Sequence, residues 1–438
     1  MKQPLKFSEL VAVGLMLFAL FFGAGNMIFP PALGQGAGSD IWIALFGFIV
    51  SGVGLPLLGV IVIALRGGDL NELAGHIHPI FALVFGSIIY LCLGVFVSVP
   101  RTATVAYEMA VAPFLSESLA NQSMLLVAFS FMYFILTFYL ALNPSKLIDR
   151  IGKLLTPILL SIIVIIVIKA LMTPMGEFGE ATEAYASPLF KGFIDGYFTL
   201  DGLAALVFGN VVIVSLRERG ITNQKSIAKI TIFAAFIAAA GLLVVYVALA
   251  FLGASSVSLG MGANGGVILT NVVNHLFGNV GLMLLGVAIA CACLTTSVGI
   301  VAACGTFFST RVFPNASYKQ VVLVFCMAAF FVANIGLTQL NAMALPILIA
   351  IYPIGIVLIM LSLVEHYVRV PVSVYVCGMI GAFFISIFDA VKSANFSIGK
   401  AESLLANIPL FDVGMGWLVP AIIGMIIGYM LSVMKKTA

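Results

Sequence analysis

Charge is what this sequence holds least of. Its 438 residues include 20 Lys and Arg and 17 Asp and Glu, 8% in all, where a soluble domain carries roughly 25%. A chain so poor in charge cannot cover a water-facing surface, and with 62% apolar residues it belongs in a bilayer. The net charge of +3 is too small to suggest a nucleic-acid partner. Histidine is scarce as well: His76, His78, His275 and His366 sit on scattered segments, which argues against a membrane enzyme built on His or metal chemistry. The six cysteines, Cys92, Cys291, Cys293, Cys304, Cys326 and Cys377, all lie in apolar runs. They lack zinc-type spacing and read as free buried thiols. No GxxxxGK[ST] loop is present, so an ATP-driven pump is disfavoured. No catalytic residue and no cofactor are expected.

Long apolar runs are abundant. They fall near 9–33, 40–65, 79–112, 122–142, 148–172, 192–216, 226–253, 278–310, 320–340, 344–363, 371–388 and 414–433, twelve in number. Each is long enough to be read as a span of the hydrocarbon core, about 20 residues as a helix. The strand alternation of a membrane barrel is absent. The basic start MKQPLKFSEL runs into the first apolar stretch without a small-residue cleavage site, so it is read as a retained span. With the N-terminus inside, fifteen Lys and Arg fall on the inner side, from Lys2 and Lys6 to Lys435 and Lys436. Four fall outside: Lys169, Lys191, Lys392 and Lys400. That bias places both termini in the cytoplasm.

Two of the runs contain poor helix material at mid-depth. The first reads FFGAGNMIFPP at 21–31 and the sixth GYFTLDGLAALVFG at 196–209. Breaking a helix in lipid leaves backbone groups unpaired at a few kcal/mol each, unless a ligand or a polar cavity replaces the lost bonds. Five spans separate the two runs, so they cross in opposite senses, and the third and eighth spans are both unusually long. Matched interruptions in oppositely oriented halves point to an inverted-repeat transporter with its site at the midplane.

The stretches GAGNMIFPP, SVPRTATVAYE (98–108), TEAYASPLFKGFIDGYFTLD (182–201) and ACLTTSVG (292–299) resemble the bacterial branched-chain amino acid carrier family over nearly the whole chain. That family is similar, more distantly, to the leucine-transporter fold of sodium-coupled amino acid symporters. The resemblance implies an all-α integral membrane protein of twelve spans: a 5+5 inverted repeat, two C-terminal helices, and interruptions in helices one and six. Repeat one would cover 1–172, an outer loop 173–191, repeat two 192–363, and the last two spans 364–438. It also implies import of leucine, isoleucine and valine driven by a cation gradient, sodium being favoured and a proton remaining open. The alternative from another class is a passive amino-acid or ion channel, although charge rings and filter repeats are absent from the sequence.

The same resemblance assigns residues. Gly23-Ala24-Gly25-Asn26 matches the first-helix motif of the fold. The N–H groups of Ala24 and Gly25 would take the substrate carboxylate, and the carbonyls of Ala19 and Phe22 one sodium. Phe21 and Asn26 would face a second ion. In Phe198-Thr199-Leu200-Asp201 the carbonyls of Phe198 and Thr199 would meet the ammonium, while Asp201 departs from the serine of the fold. A carboxylate at mid-bilayer costs roughly 2.5–3.5 kcal/mol on insertion scales. It could pair the ammonium, carry a proton, or cap the second half-helix. Ala292, Thr295 and Thr296 match the eighth-helix sodium motif, against the local reading that the hydroxyls bond back within their own helix. Ile300 would line an apolar pocket for the branched side chain.

Arg101 and Glu108 lie seven residues apart, on one helical face. They could bind a carboxylate and carry a proton, or form a structural charge network. His76 and His78, in HIHP, and the acidic stretch GEFGEATE (176–183) read as solvated loops. GxxxG-like spacings are weak evidence on self-association.

Overall fold

The computed structural model describes residues 7–66, 68–116, 123–396, 402 and 405–437. Lys2, Lys6 and Lys400, which entered the charge count, lie outside the described residues. All regular structure among the described residues is helical. Among the described residues, eight helices are long and apolar enough to cross a membrane, or nine when one bent pair is taken together.

The first run is split into α1 (Phe7–Phe21) and α2 (Ala24–Ala37). The second is α3 (Ile41–Ile49) and α4 (Leu55–Arg66), joined without a break by a π-helical turn at Val50–Gly54. A short α5 (Leu70–Gly75) leads to α6 (Pro79–Leu91), whose proline suits the first helical turn. A π turn at Cys92–Phe96 and a kink at Val97 separate α6 from α7 (Ser98–Ala110). Then come α8 (Ser123–Ala141) and α9 (Pro144–Met172). The sixth run is the bent pair α10 (Pro188–Tyr197) and α11 (Asp201–Glu218), 41° apart. It is followed by α12 (Gln224–Ala254) and the long α13 (Gly265–Phe307), which turns at Gly278. The chain ends with α14 (Tyr318–Ala333), α15 (Leu337–Glu365), α16 (Val372–Ser393) and α17 (Leu418–Thr437).

One boundary differs from the sequence reading. The run expected over 320–340 stops as α14 at Ala333, and Leu337 already opens α15. Gly336 lies at φ +93°, a left-handed conformation that suits glycine and ends the turn. Pro346 sits inside α15. The eighth helix also starts earlier than expected: α13 has a first segment from Gly265 to the kink, capped by the Asn264 side chain on the Val267 N–H at 3.0 Å.

Four close approaches hold the centre. A Cβ at Gly34 would fall on the Ala250 carbonyl, and one at Gly253 on that of Pro31, so α2 and α12 touch backbone to backbone. A Cβ at Gly47 would fall on the Leu189 carbonyl, and one at Gly192 on that of Ala44, so α3 and α10 do the same. Small residues permit such contact where no hydrophobic gain drives helices together. The first pairing joins the upper half of helix one to helix seven. The second joins the upper half of helix six to helix two.

Candidate functional site

Both interruptions are real and face each other. The first is short: Phe22 ends α1, and Gly23 is extended at φ −125° before α2 starts. A Cβ at Gly23 would lie 2.8 Å from Thr296 Oγ1, and one at Gly25 would lie 2.7 Å from an Arg101 nitrogen and 3.0 Å from the Phe198 carbonyl. Glycine is needed at both positions for close approach. Asn26 closes the start of α2 by accepting the Gly23 N–H on Oδ1 at 3.1 Å. The second interruption runs through Phe198, Thr199 and Leu200. Leu200 is left-handed at φ +66°, a conformation costing about 1–2 kcal/mol for a residue with a Cβ. Strain of this kind collects at binding sites.

Between the two breaks lies a central hollow of about 10 Å³, lined by Phe21, Gly23 to Asn26, Ser98, Arg101, Thr199 to Asp201, Thr296 and Ile300, among others. It holds about one water. The expected substrate residues Ala24, Gly25, Thr199, Asp201 and Ile300 all line it, and Phe198 reaches it through its carbonyl beside Gly25. Phe21 and Asn26, expected to face a second ion, line the same space. Asp201 is buried. Its Oδ2 accepts the Asn26 Nδ2–H at 2.6 Å and the Tyr246 hydroxyl at 2.7 Å, and Asn26 and Tyr246 also touch one another. As the first residue of α11, the carboxylate also sits at the positive end of a helix dipole.

Arg101 faces Asp201's hollow from α7. It is buried, lies over the Phe29 ring at 5.1 Å, and its Nε and Nη1 lack hydrogen-bond partners. A buried guanidinium with idle donors is costly unless an anion completes it. Glu108 goes elsewhere. It accepts from Asn264 Nδ2 at 3.0 Å, at the cap of the first segment of α13, so the shared helical face does not bring the two charges into one site.

A second small hollow lies beside the first break. Ala19 and Phe22 of α1 line it with Ala292 and Thr295 of α13 and Thr156 of α9. Four of the five residues expected around one ion are thus brought together. The Thr295 hydroxyl donates to the Ala292 carbonyl at 2.7 Å. Thr296 stands on the central side, 3.5 Å from the carbonyls of both Leu20 and Phe22. Among the described residues no cluster of His, Cys, Asp and Glu could hold a metal ion, so these oxygens are the candidate cation ligands.

The two ends of the hollow differ. Towards Asp69 and Arg311, a vestibule of about 290 Å³ reaches Met16, Val207 and Gly299, the last two next in sequence to Phe208 and Ile300 of the central lining. Its mouth carries Glu218 and the pair Arg311 and Asp69, 3.7 Å apart. At the other end the Phe29 and Phe198 rings meet at 4.9 Å. Above them Gln35 grips the loop before α13, donating to the Gly260 carbonyl at 3.0 Å and accepting the Gly262 N–H at 2.8 Å.

One loop reading changes. His76 is half-buried rather than solvated, with Nε2 3.4 Å from Glu365, which also binds Arg66 and the Tyr375 hydroxyl. His78 caps α6 by accepting the Ile80 N–H. The GEFGEATE loop is pinned to the end of α2, where Thr182 bonds the Gly36 carbonyl and Ser39 the Gly179 carbonyl. All six cysteines are free. Tyr246 and Phe29 were missed. Each stands in an apolar run, and only a lone tyrosine hydroxyl in the seventh span signalled the first.

Two solved structures share this architecture. MhsT in complex with L-phenylalanine aligns with a TM-score of 0.53 at 16% identity, covering 98% of this chain and 99% of that one. Mhp1, a nucleobase-cation-symport-1 family transporter in a closed conformation with bromovinylhydantoin bound, aligns at 0.58 and 17%, covering 97% and 94%. The fold is therefore that of the leucine-transporter class of membrane transporters. Within that class, the chain belongs to the family described as branched-chain amino acid transport protein, whose profile matches residues 6–435. Branched-chain amino acid permease BraB of Bacillus subtilis (strain 168) is 48% identical, covering 99% of this chain and 97% of its own. The branched-chain amino acid transport system 2 carrier protein of Pseudomonas aeruginosa is 43% identical over 97% and 96%. Branched-chain amino acid permease BrnQ of Escherichia coli (strain K12) is 37% identical over 97% and 95%. The relatives are named permeases and carriers, and the chain is a multi-pass transport protein rather than an enzyme.

Proposed function

We propose that the protein is a secondary active symporter that imports leucine, isoleucine and valine with a cation, sodium before proton, by alternating access. The observation that carries this reading is the pair of opposite charges facing one hollow between the broken helices. Arg101 brings Nη2 up to Gly25 and has Nε and Nη1 unpartnered, and Asp201 offers a carboxylate across the second break. Carboxylate and ammonium of a zwitterion match the charges of that arrangement, the hollow widening beyond its water-sized volume to take the molecule, with the Ala24 and Gly25 N–H groups at a helix start assisting the first. Leu20, Phe21, Ala204, Phe208 and Ile300 leave the rest of the lining apolar, as a branched side chain requires.

In this reading the chain makes twelve spans in the cytoplasmic (inner) membrane with both termini inside. Residues 1–172 and 192–363 form the two inverted repeats, 173–191 the outer loop, and 364–438 the last two spans. A vestibule at one end and a ring-and-amide closure at the other suit an inward-facing state of a carrier whose site opens to one side at a time. The carbonyls of Ala19 and Phe22 with Ala292 and Thr295 would hold sodium as cargo, and neutral oxygens suit a hard cation.

Proteoliposomes test the reading. Labelled leucine should accumulate above its equilibrium level under an inward sodium gradient and collapse with an ionophore. Accumulation under a pH gradient alone would move the coupling to a proton at Asp201. Flux that only ever equilibrates would favour a channel and sink the proposal.

A further inference from the structure

One hydroxyl beside the cation hollow has no role in the account so far. Thr156 of α9 is 3% exposed, and its Oγ1 has no hydrogen-bond partner. Hydroxyls inside membrane helices normally bond back to a carbonyl three or four residues earlier. Thr137 does so to Tyr133 at 2.9 Å, Ser161 to Pro157 at 2.7 Å and Thr295 to Ala292 at 2.7 Å. Thr156 forgoes that bond and lines the hollow shared by Ala19, Phe22, Ala292 and Thr295. The space is about 10 Å³, room for one water or one bare monovalent ion. Its polar lining consists of neutral oxygens without a carboxylate, histidine or thiol, the donor set of a hard cation rather than of a transition metal.

We propose that Thr156 Oγ1 is a ligand of the coupling cation, adding α9 to the oxygens supplied by α1 and α13. The inference rests on the cation reading given above and extends it. A ligand set on three helices has a consequence that two helices lack: the occupied site fastens α9 to the lower half of the first broken helix. α9 packs against both α1 and α13, so the ion would add a bond between helices that already touch. Release of the ion would then loosen α9 from α1.

The test separates the two readings. Purified protein without amino acid is melted while sodium replaces choline, and the sodium concentration for half-maximal stabilisation is read. Thr156→Val should require about tenfold more sodium, the loss of roughly one good ligand bond, and Thr156→Ser should return to the wild-type value. If the valine variant does not fold, Thr156→Ala must give the same displacement. In proteoliposomes the sodium activation of leucine uptake should move in parallel, with the leucine KM at saturating sodium unchanged. A Thr156→Val curve that overlays the wild type, while that of Thr295→Ala is displaced, overturns the assignment of Thr156 and leaves the cation site standing. If Thr295→Ala overlays it too, or the wild type does not respond to sodium, the cation site itself is wrong and Thr156 falls with it.

Discussion

The two interrupted helices do the same thing by different means. In the first, small residues make the gap: Gly23 and Gly25 let Thr296, Arg101 and the Phe198 carbonyl come up against bare main chain. In the second, a bulky residue is forced into a left-handed conformation, and a carboxylate begins the next half-helix. The first gap presents N–H groups next to a cation, Arg101. The second presents oxygen next to Asn26 and Tyr246. Each break therefore has its own sign, and together they describe a ligand with a negative and a positive end.

The sharpest way to break this comparison is to fill the first gap. Gly25→Ala places a methyl 2.7 Å from the Arg101 guanidinium, and both side chain and backbone around it are buried. Leucine uptake should fall at least about a hundredfold, the scale of losing charge-assisted contacts to the substrate, with normal yield of folded protein by size exclusion. Uptake within a few-fold of wild type would remove the carboxylate from this side of the hollow.

Asp201→Asn tests the opposite side with less disturbance, since the amide keeps the shape. The KM for leucine should rise about tenfold to a hundredfold. Leucine analogues lacking the ammonium should lose their disadvantage against leucine. An unchanged KM together with lost pH dependence of uptake would instead make Asp201 the proton carrier.

The smallest effect concerns strain. Leu200→Gly and Leu200→Ala lose comparable packing, but only glycine sits at φ +66° without a Cβ clash. The glycine variant should be the more stable of the two by about 1 kcal/mol, read from their melting curves in the same detergent. Equal stabilities would mean that the second break carries no backbone strain and is held by side-chain contacts alone.

Much of this was legible along the chain. Gly23, Gly25 and Asp201 break local rules inside apolar runs, and a broken rule at mid-membrane is visible without a structure. Arg101 stood out for the same reason. What could not be read were partners that look ordinary where they stand. Tyr246 lies 220 positions from Asn26, and Thr156 sits in a run that any buried helix could contain. Their meaning comes from packing between distant segments, which leaves no local periodicity. The same holds for Glu108, whose spacing from Arg101 suggested a shared face, although its partner is the capping residue of another helix. The ninth run was read past its end, which falls just before the positive-φ Gly336 between α14 and α15.

The two glycine-paired contacts carry a mechanical consequence. Main chain pressed on main chain leaves no side-chain layer to slide or repack, so α2 with α12 and α10 with α3 behave as two stiff couples. Any turning of the carrier must then carry the upper halves of both broken helices as passengers of their neighbours, and the bending must be taken up lower down, where α1 and α11 flank the vestibule.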